Sequence, residues 1–248
     1  MKLSTNFVKD YVDIDVDVHQ LAEDMTRIGN EYDSAGKLIN ATKLVIGKII
    51  ECKDHPDSDH LHLCKVDIGT EILDIVCGAP NARKGIKVIV ALDGAELPEK
   101  TIKRGMIRGQ ESNGMMCSIA ELGLENKFLK PEDKEGIAEL GEDAVIGGDP
   151  IQYLGLDDGV IDFDLTANRG DLLSILGMAY EIGAIYDKPV KEVDLKHKEQ
   201  GEDLNKSFKT EVKTENCKLL LVKKVENVEI KESPTFIKNR LIVSGIRP

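Results

Sequence analysis

Short apolar runs, broken at regular intervals by turn-forming residues, constrain this chain more than any other feature. The runs cover residues 44–50, 61–66, 72–77, 86–92 and 114–117, and Asp, Gly, Pro and Asn separate them. Runs of this length and spacing predict five short β-strands curled into a small closed or nearly closed barrel. Three strings sit where those runs end or begin: His55-Pro56-Asp57-Ser58-Asp59-His60-Leu61, Val76-Cys77-Gly78-Ala79-Pro80-Asn81 and Glu111-Ser112-Asn113-Gly114-Met115-Met116-Cys117-Ser118. Their polar side chains collect on loops and rims, where binding residues concentrate.

Helical periodicity flanks this region. Asp17 with Gln20 has the form of a capping box, and Val18, Leu21, Ala22, Met25 and Ile28 recur at helical spacing before Gly29, a C′ stop. The first 35 residues therefore read as helical. From about residue 150 the pattern returns, with Asp171 capping a helix whose apolar positions are Leu172, Leu173, Ile175, Leu176, Ala179 and Ile182. Neither flank is large enough for a core of its own. The expected fold is α+β, mainly β: residues 1–39 plus 150–190 form a split, helix-containing α/β domain, and residues 40–149 form a barrel domain inserted into it. Residues 191–206, rich in Lys, Glu, Asp and Gln, read as a solvated linker. A strand over 217–228 and a helix from Ser233-Pro234 to Gly245 follow. One strand and one helix bury no core, so 207–248 reads as the truncated start of a third domain.

Apolar content of 41% and charged content of 31% over 248 residues describe a soluble globular protein. No apolar run approaches a membrane span and no signal-peptide pattern opens the chain, which makes the cytoplasm the expected compartment. Five widely spread cysteines read as reduced thiols. A net charge of −12 excludes a wholly electropositive surface, so any RNA contact must be local. Between residues 81 and 108 seven basic residues (Arg83, Lys84, Lys87, Lys100, Lys103, Arg104 and Arg108) face three acidic ones. Lys103, Arg104 and Arg108 are spaced to share a rim, although an ordinary solvated surface has the same composition. No aromatic residue lies between Tyr32 and Phe128. Bases therefore find no stacking platform there, and binding must use phosphates, 2′-hydroxyls and shape.

His55-Pro56-Asp57 fits either a turn or an RNA contact, and Asn81 either a turn or a base-edge contact. Cys52, His55, His60, His62 and Cys64 are grouped like metal ligands but lack the paired C-x₂-C of zinc ribbons, so no metal site is expected. Phosphate-cradling, zinc-protease and nucleophile-elbow motifs are all missing, and no catalytic residue is expected.

The three strings resemble the tRNA-binding OB-fold of several synthetases and free tRNA-binding proteins. Outside them, Thr5-Asn6-Phe7-Val8-Lys9-Asp10-Tyr11-Val12, Asp162-Phe163-Asp164-Leu165-Thr166-Ala167-Asn168-Arg169 and residues 233–248 resemble the N-terminal part of the bacterial phenylalanyl-tRNA synthetase β-subunit family. The resemblance runs nearly end to end, although Ala167 and Gly170 stand where that family commonly has prolines. It implies an α₂β₂ ligase that joins phenylalanine to its tRNA, with tRNA(Phe) and the α subunit as partners and neither DNA nor membrane. ATP and Mg²⁺ would belong to the parent enzyme, with no cofactor in this stretch. Residues 207–248 would begin an editing (B3/B4-type) domain. The tRNA-binding candidates are His55, Asn81, Arg83, Lys84, Lys87, Lys103, Arg104 and Arg108. A free-standing tRNA-binding or chaperone-like protein and a protein-interaction spacer are the alternatives.

Overall fold

The computed structural model describes residues 1–196, 198 and 200–248. The chain opens with β1 (Lys2–Ser4), α1 (Thr5–Val8), α2 (Val18–Arg27) and β2 (Tyr32–Lys37). There follow β3 (Leu44–Asp54), β4 (His62–Asp67), β5 (Ile72–Cys77), β6 (Lys87–Ala91), and the hairpins β7 (Glu96–Leu97)–β8 (Lys100–Thr101) and β9 (Gly105–Ile107)–β10 (Gln110–Ser112). Next come β11 (Met115–Cys117), α3 (Glu132–Glu135), β12 (Glu139–Leu140) and α4 (Pro150–Tyr153). The last elements are β13 (Gly159–Phe163), α5 (Ile175–Tyr186) and α6 (Thr235–Val243).

Strands from both ends of the first 163 residues make one antiparallel sheet in the order β1-β13-β2. Leu3, Ile161 and Phe163 project from it onto Leu21, Ala22 and Met25 of α2 and Met178, Ala179 and Ile182 of α5, all buried. The spacing of Leu21, Ala22 and Met25 puts them on one helix face. Gly29, at φ +98°, ends α2 in a Schellman motif: Asn30 N–H donates to Met25 O and Gly29 N–H to Thr26 O. Two expectations fail here. The first 35 residues are not wholly helical, because β1 and the start of β2 lie within them. Gln20 does not complete a capping box either: it donates to Asp24, while Asp17 alone caps by accepting from His19 N–H.

A six-stranded antiparallel sheet follows the order β11-β6-β3-β4-β5, with β12 also beside β6. It is one strand larger than expected. It curls until its edges meet: Asn113 N–H donates to Asp74 O at 2.8 Å and Val76 N–H to Ser112 Oγ at 3.2 Å. Ile49, Val66, Ile75, Val88 and Val90 fill the interior. Gly114 lets the chain pass this seam, since a Cβ there would stand 2.7 Å from Ala91 O. The result is a mixed α/β protein whose curled sheet is consistent with an OB-fold.

Asp171 does not cap α5. Ser174 does, accepting from Gly177 N–H at 3.0 Å. Asp171 instead takes both Nε and Nη2 of Arg169, whose guanidinium also reaches Asn30 and Glu181. The expected strand over 217–228 does not form: Leu219, Leu221, Val225 and Val228 are 72–82% exposed and have no paired neighbour. A run of apolar and β-branched residues alone makes no strand without a second edge to complete its hydrogen bonds. Two residues of the expected linker, 197 and 199, lie outside the described residues. The last helix forms as expected, except that Pro234 is its N-cap rather than its first residue.

Candidate nucleic-acid interface

All three strings converge on one groove of about 520 Å³. Leu61 comes from the first, Val76, Cys77, Gly78 and Ala79 from the second, and Met115, Met116 and Ser118 from the third. Ile107 of the β9–β10 hairpin and Lys134, Gly136 and Ile137 also line it. No lining residue is aromatic.

The polar members of the strings hold these walls in place. His55 N–H donates to Leu61 O at 2.9 Å, and the His55 ring, 3% exposed, accepts Asp57 N–H on Nδ1 at 3.0 Å. Buried Ser112 accepts Val76 N–H and donates to Gly114 O at 3.1 Å, which joins the second string to the third. Asn81 accepts Ile137 N–H at 3.0 Å and donates to Ile137 O at 2.9 Å. Ser118 and Glu121 form a capping box: Glu121 takes Ser118 N–H at 2.9 Å, and Ser118 Oγ takes Glu121 N–H at 3.2 Å. Burial pushes the Glu121 carboxyl up, but Lys100, at 2.7 Å, and Ser118 outweigh it and hold it below the usual carboxylate range.

The eight candidates divide by place. Arg108 and Gly109, both at positive φ, make the two-residue turn of the β9–β10 hairpin. From that turn Arg108 donates to Asp57 O at 3.1 Å, so the hairpin leans on the first string. Exposed Lys103 and Arg104 lead into the same hairpin, whose Met106 is 68% exposed. Arg83 is engaged elsewhere, in two hydrogen bonds of 2.6 Å to the Glu139 carboxylate. Lys87 donates to Glu142 O, Lys84 is exposed, and His55 and Asn81 are committed to the loops as described. Sequence reasoning missed wall residues outside the three strings, Ile107 and Lys134 among them. It also missed the Ser118–Glu121 box, although the S-x-x-E spacing was legible.

Among the described residues no group of three or more His, Cys, Asp or Glu side chains is arranged to hold a metal ion. None of their helices is long and apolar enough to cross a membrane.

Residues 44–148 match the family model described as "Putative tRNA binding domain". Over its whole length the chain is 41% identical to the phenylalanine–tRNA ligase beta subunit of Streptococcus pneumoniae and 44% identical to that of Streptococcus mutans. It spans 31% of the length of each of these relatives. The crystal structure of a MetRS-related protein from Pyrococcus horikoshii aligns with 42% of this chain and 85% of that one, at 20% identity and a TM-score of 0.31. Matched from end to end by these relatives, with a tRNA-binding domain model over its curled sheet, the chain belongs to the phenylalanine–tRNA ligase beta-subunit family.

Proposed function

We propose that this chain helps to hold tRNA(Phe) and supports subunit architecture within an α₂β₂ phenylalanine–tRNA ligase. The observation that carries the reading is the convergence of the three strings on one groove, with Ile107 of the hairpin that Arg108 turns on its wall and the exposed Lys103 and Arg104 leading into that hairpin. Backbone edges, thioethers and exposed cations suit a folded RNA read by shape and phosphate position. The match of the whole of this chain to part of beta subunits favours this reading over a free-standing tRNA-binding protein or a spacer. In it, the ATP- and Mg²⁺-dependent attachment of phenylalanine takes place on the α subunit in the cytoplasm, and this chain supplies no catalytic residue.

Under the same reading, residues 1–39 and 150–190 are one split domain that carries the 40–149 OB-fold barrel. Pairing of β1 and β2 with β13 around a common core supports that division. Residues 191–206 are a linker, and 207–248 begin the editing domain.

The test is tRNA(Phe) binding by the chain with Lys103, Arg104 and Arg108 replaced by Ala, measured at about 50 and 200 mM salt. Affinity should fall, and the salt dependence should flatten by about one counterion for each phosphate that no longer meets a cation. Unchanged affinity and slope would remove this hairpin from the interface.

A further inference from the structure

Three of the five cysteines lie on one inward face of the curled sheet. Cys52 on β3 stands directly opposite Cys64 on β4. Cys64 in turn faces Ile75 on β5, and Cys77, two residues on, shares that face. The alternation of the ladder identifies the Cys52/Cys64 rung. His55 N–H bonds to Leu61 O, so 55/61 is a hydrogen-bonded rung, and 52/64, three rungs away, is a non-hydrogen-bonded one. Rungs of that kind bring Cα atoms to about 4.5 Å, within the range a disulfide spans. The two sulfurs are 3.6 Å apart. Side-chain rotation, without strand displacement, can bring them to the roughly 2.05 Å of a bond. Cys52 is partly exposed and Cys64 buried, so only one of the two meets solvent. The Cys77 sulfur accepts Ala79 N–H at 3.4 Å.

We propose that Cys52 and Cys64 form a dithiol that a hydroperoxide converts to a disulfide. In the first step the Cys52 thiolate takes the terminal oxygen of the peroxide. The O–O bond breaks, Cys52 becomes a sulfenic acid, and the remainder leaves as alcohol or water. In the second step the Cys64 sulfur attacks the Cys52 sulfur. The S–S bond forms, the S–O bond breaks, and the hydroxyl departs as water with the Cys64 proton. Two thiols lose two electrons, and one peroxide gains them. Burial pushes the Cys64 thiol up, so the second step speeds as pH rises. The bond would close a loop over residues 53–63 that contains the whole first string, including Leu61 of the groove wall.

The test uses the chain with exposed Cys217 changed to Ser, treated with hydrogen peroxide. Two of its four remaining thiols should be lost, a Cys52–Cys64 linked peptide should appear by mass spectrometry without reduction, and dithiothreitol should restore both thiols. Adding Cys52→Ser, at the partly exposed position, should leave the thiol count unchanged by peroxide. The proposal is overturned if Cys52 proceeds to sulfinic acid while Cys64 stays free, or if the linkage found is between chains.

Discussion

Asn81 holds Ile137 by both backbone groups of that residue, accepting its N–H at 3.0 Å and donating to its C=O at 2.9 Å. The residues are 56 apart in sequence, and the bond pair fixes one wall of the groove to the loop carrying the second string. Asn81→Ala should destabilise the chain by about 2–3 kcal/mol, because both partners lose their hydrogen bonds at a half-buried site. Urea denaturation measures the cost. Faster amide exchange at Ile137 than in the rest of the sheet would locate it.

Ser112→Ala should cost about 1–3 kcal/mol, the penalty for a buried Val76 N–H left unpaired. It opens the seam where the curled sheet meets itself, so tRNA affinity should fall along with the urea midpoint. A variant that keeps its midpoint would show that the seam closes without this hydroxyl.

Arg83 and Arg104 are both basic and both exposed, yet they should behave differently. Arg83 already has its guanidinium paired with Glu139, whose carboxyl that pairing holds below the usual range. Arg104→Ala should lower the salt slope of tRNA binding by about one, and Arg83→Ala should leave it nearly unchanged. Parallel titrations of the two variants make the comparison.

Glu121 sets a pH dependence. Its folded pKa lies below the ordinary carboxylate value, so the stabilisation it gives is fully present above about pH 4.3 and is lost as pH falls through the folded value. Thermal melts between neutral and acid pH should therefore fall more steeply for the native chain than for Glu121→Gln. Equal slopes would mean that the Ser118 cap and Lys100 do not act through this charge.

Apolar periodicity made the strands of the curled sheet legible, because each is bounded by turn residues and has one face to bury. The Gly29 stop was legible for a local reason, a backbone conformation that only glycine adopts easily. β2 was not: Tyr-Asp-Ser-Ala-Gly-Lys has no alternation and is recruited by pairing with β13, more than 120 residues away. The 217–228 segment failed in the opposite sense, with a strand-like pattern and no partner edge. The candidate site was half legible. Its three strings stood out, and His55 and Asn81 read as turn residues or ligand contacts; in the fold Ser112, Asn81 and His55 spend their hydrogen bonds on holding loops together. Only the fold shows which residues remain to face a ligand.

The pairing of β2 with β13 has a mechanical consequence. Leu38 N–H bonds to Asp158 O, so the chain leaves toward the curled sheet and returns from it at opposite ends of one hydrogen bond, 2.8 Å long. A body suspended from two adjacent tethers can rock, but it cannot spin about its suspension without twisting one strand past the other. Whatever the groove grips is therefore presented at a nearly fixed azimuth to the rest of the molecule, and torque on the grip passes straight into the small sheet rather than being lost in a swivel.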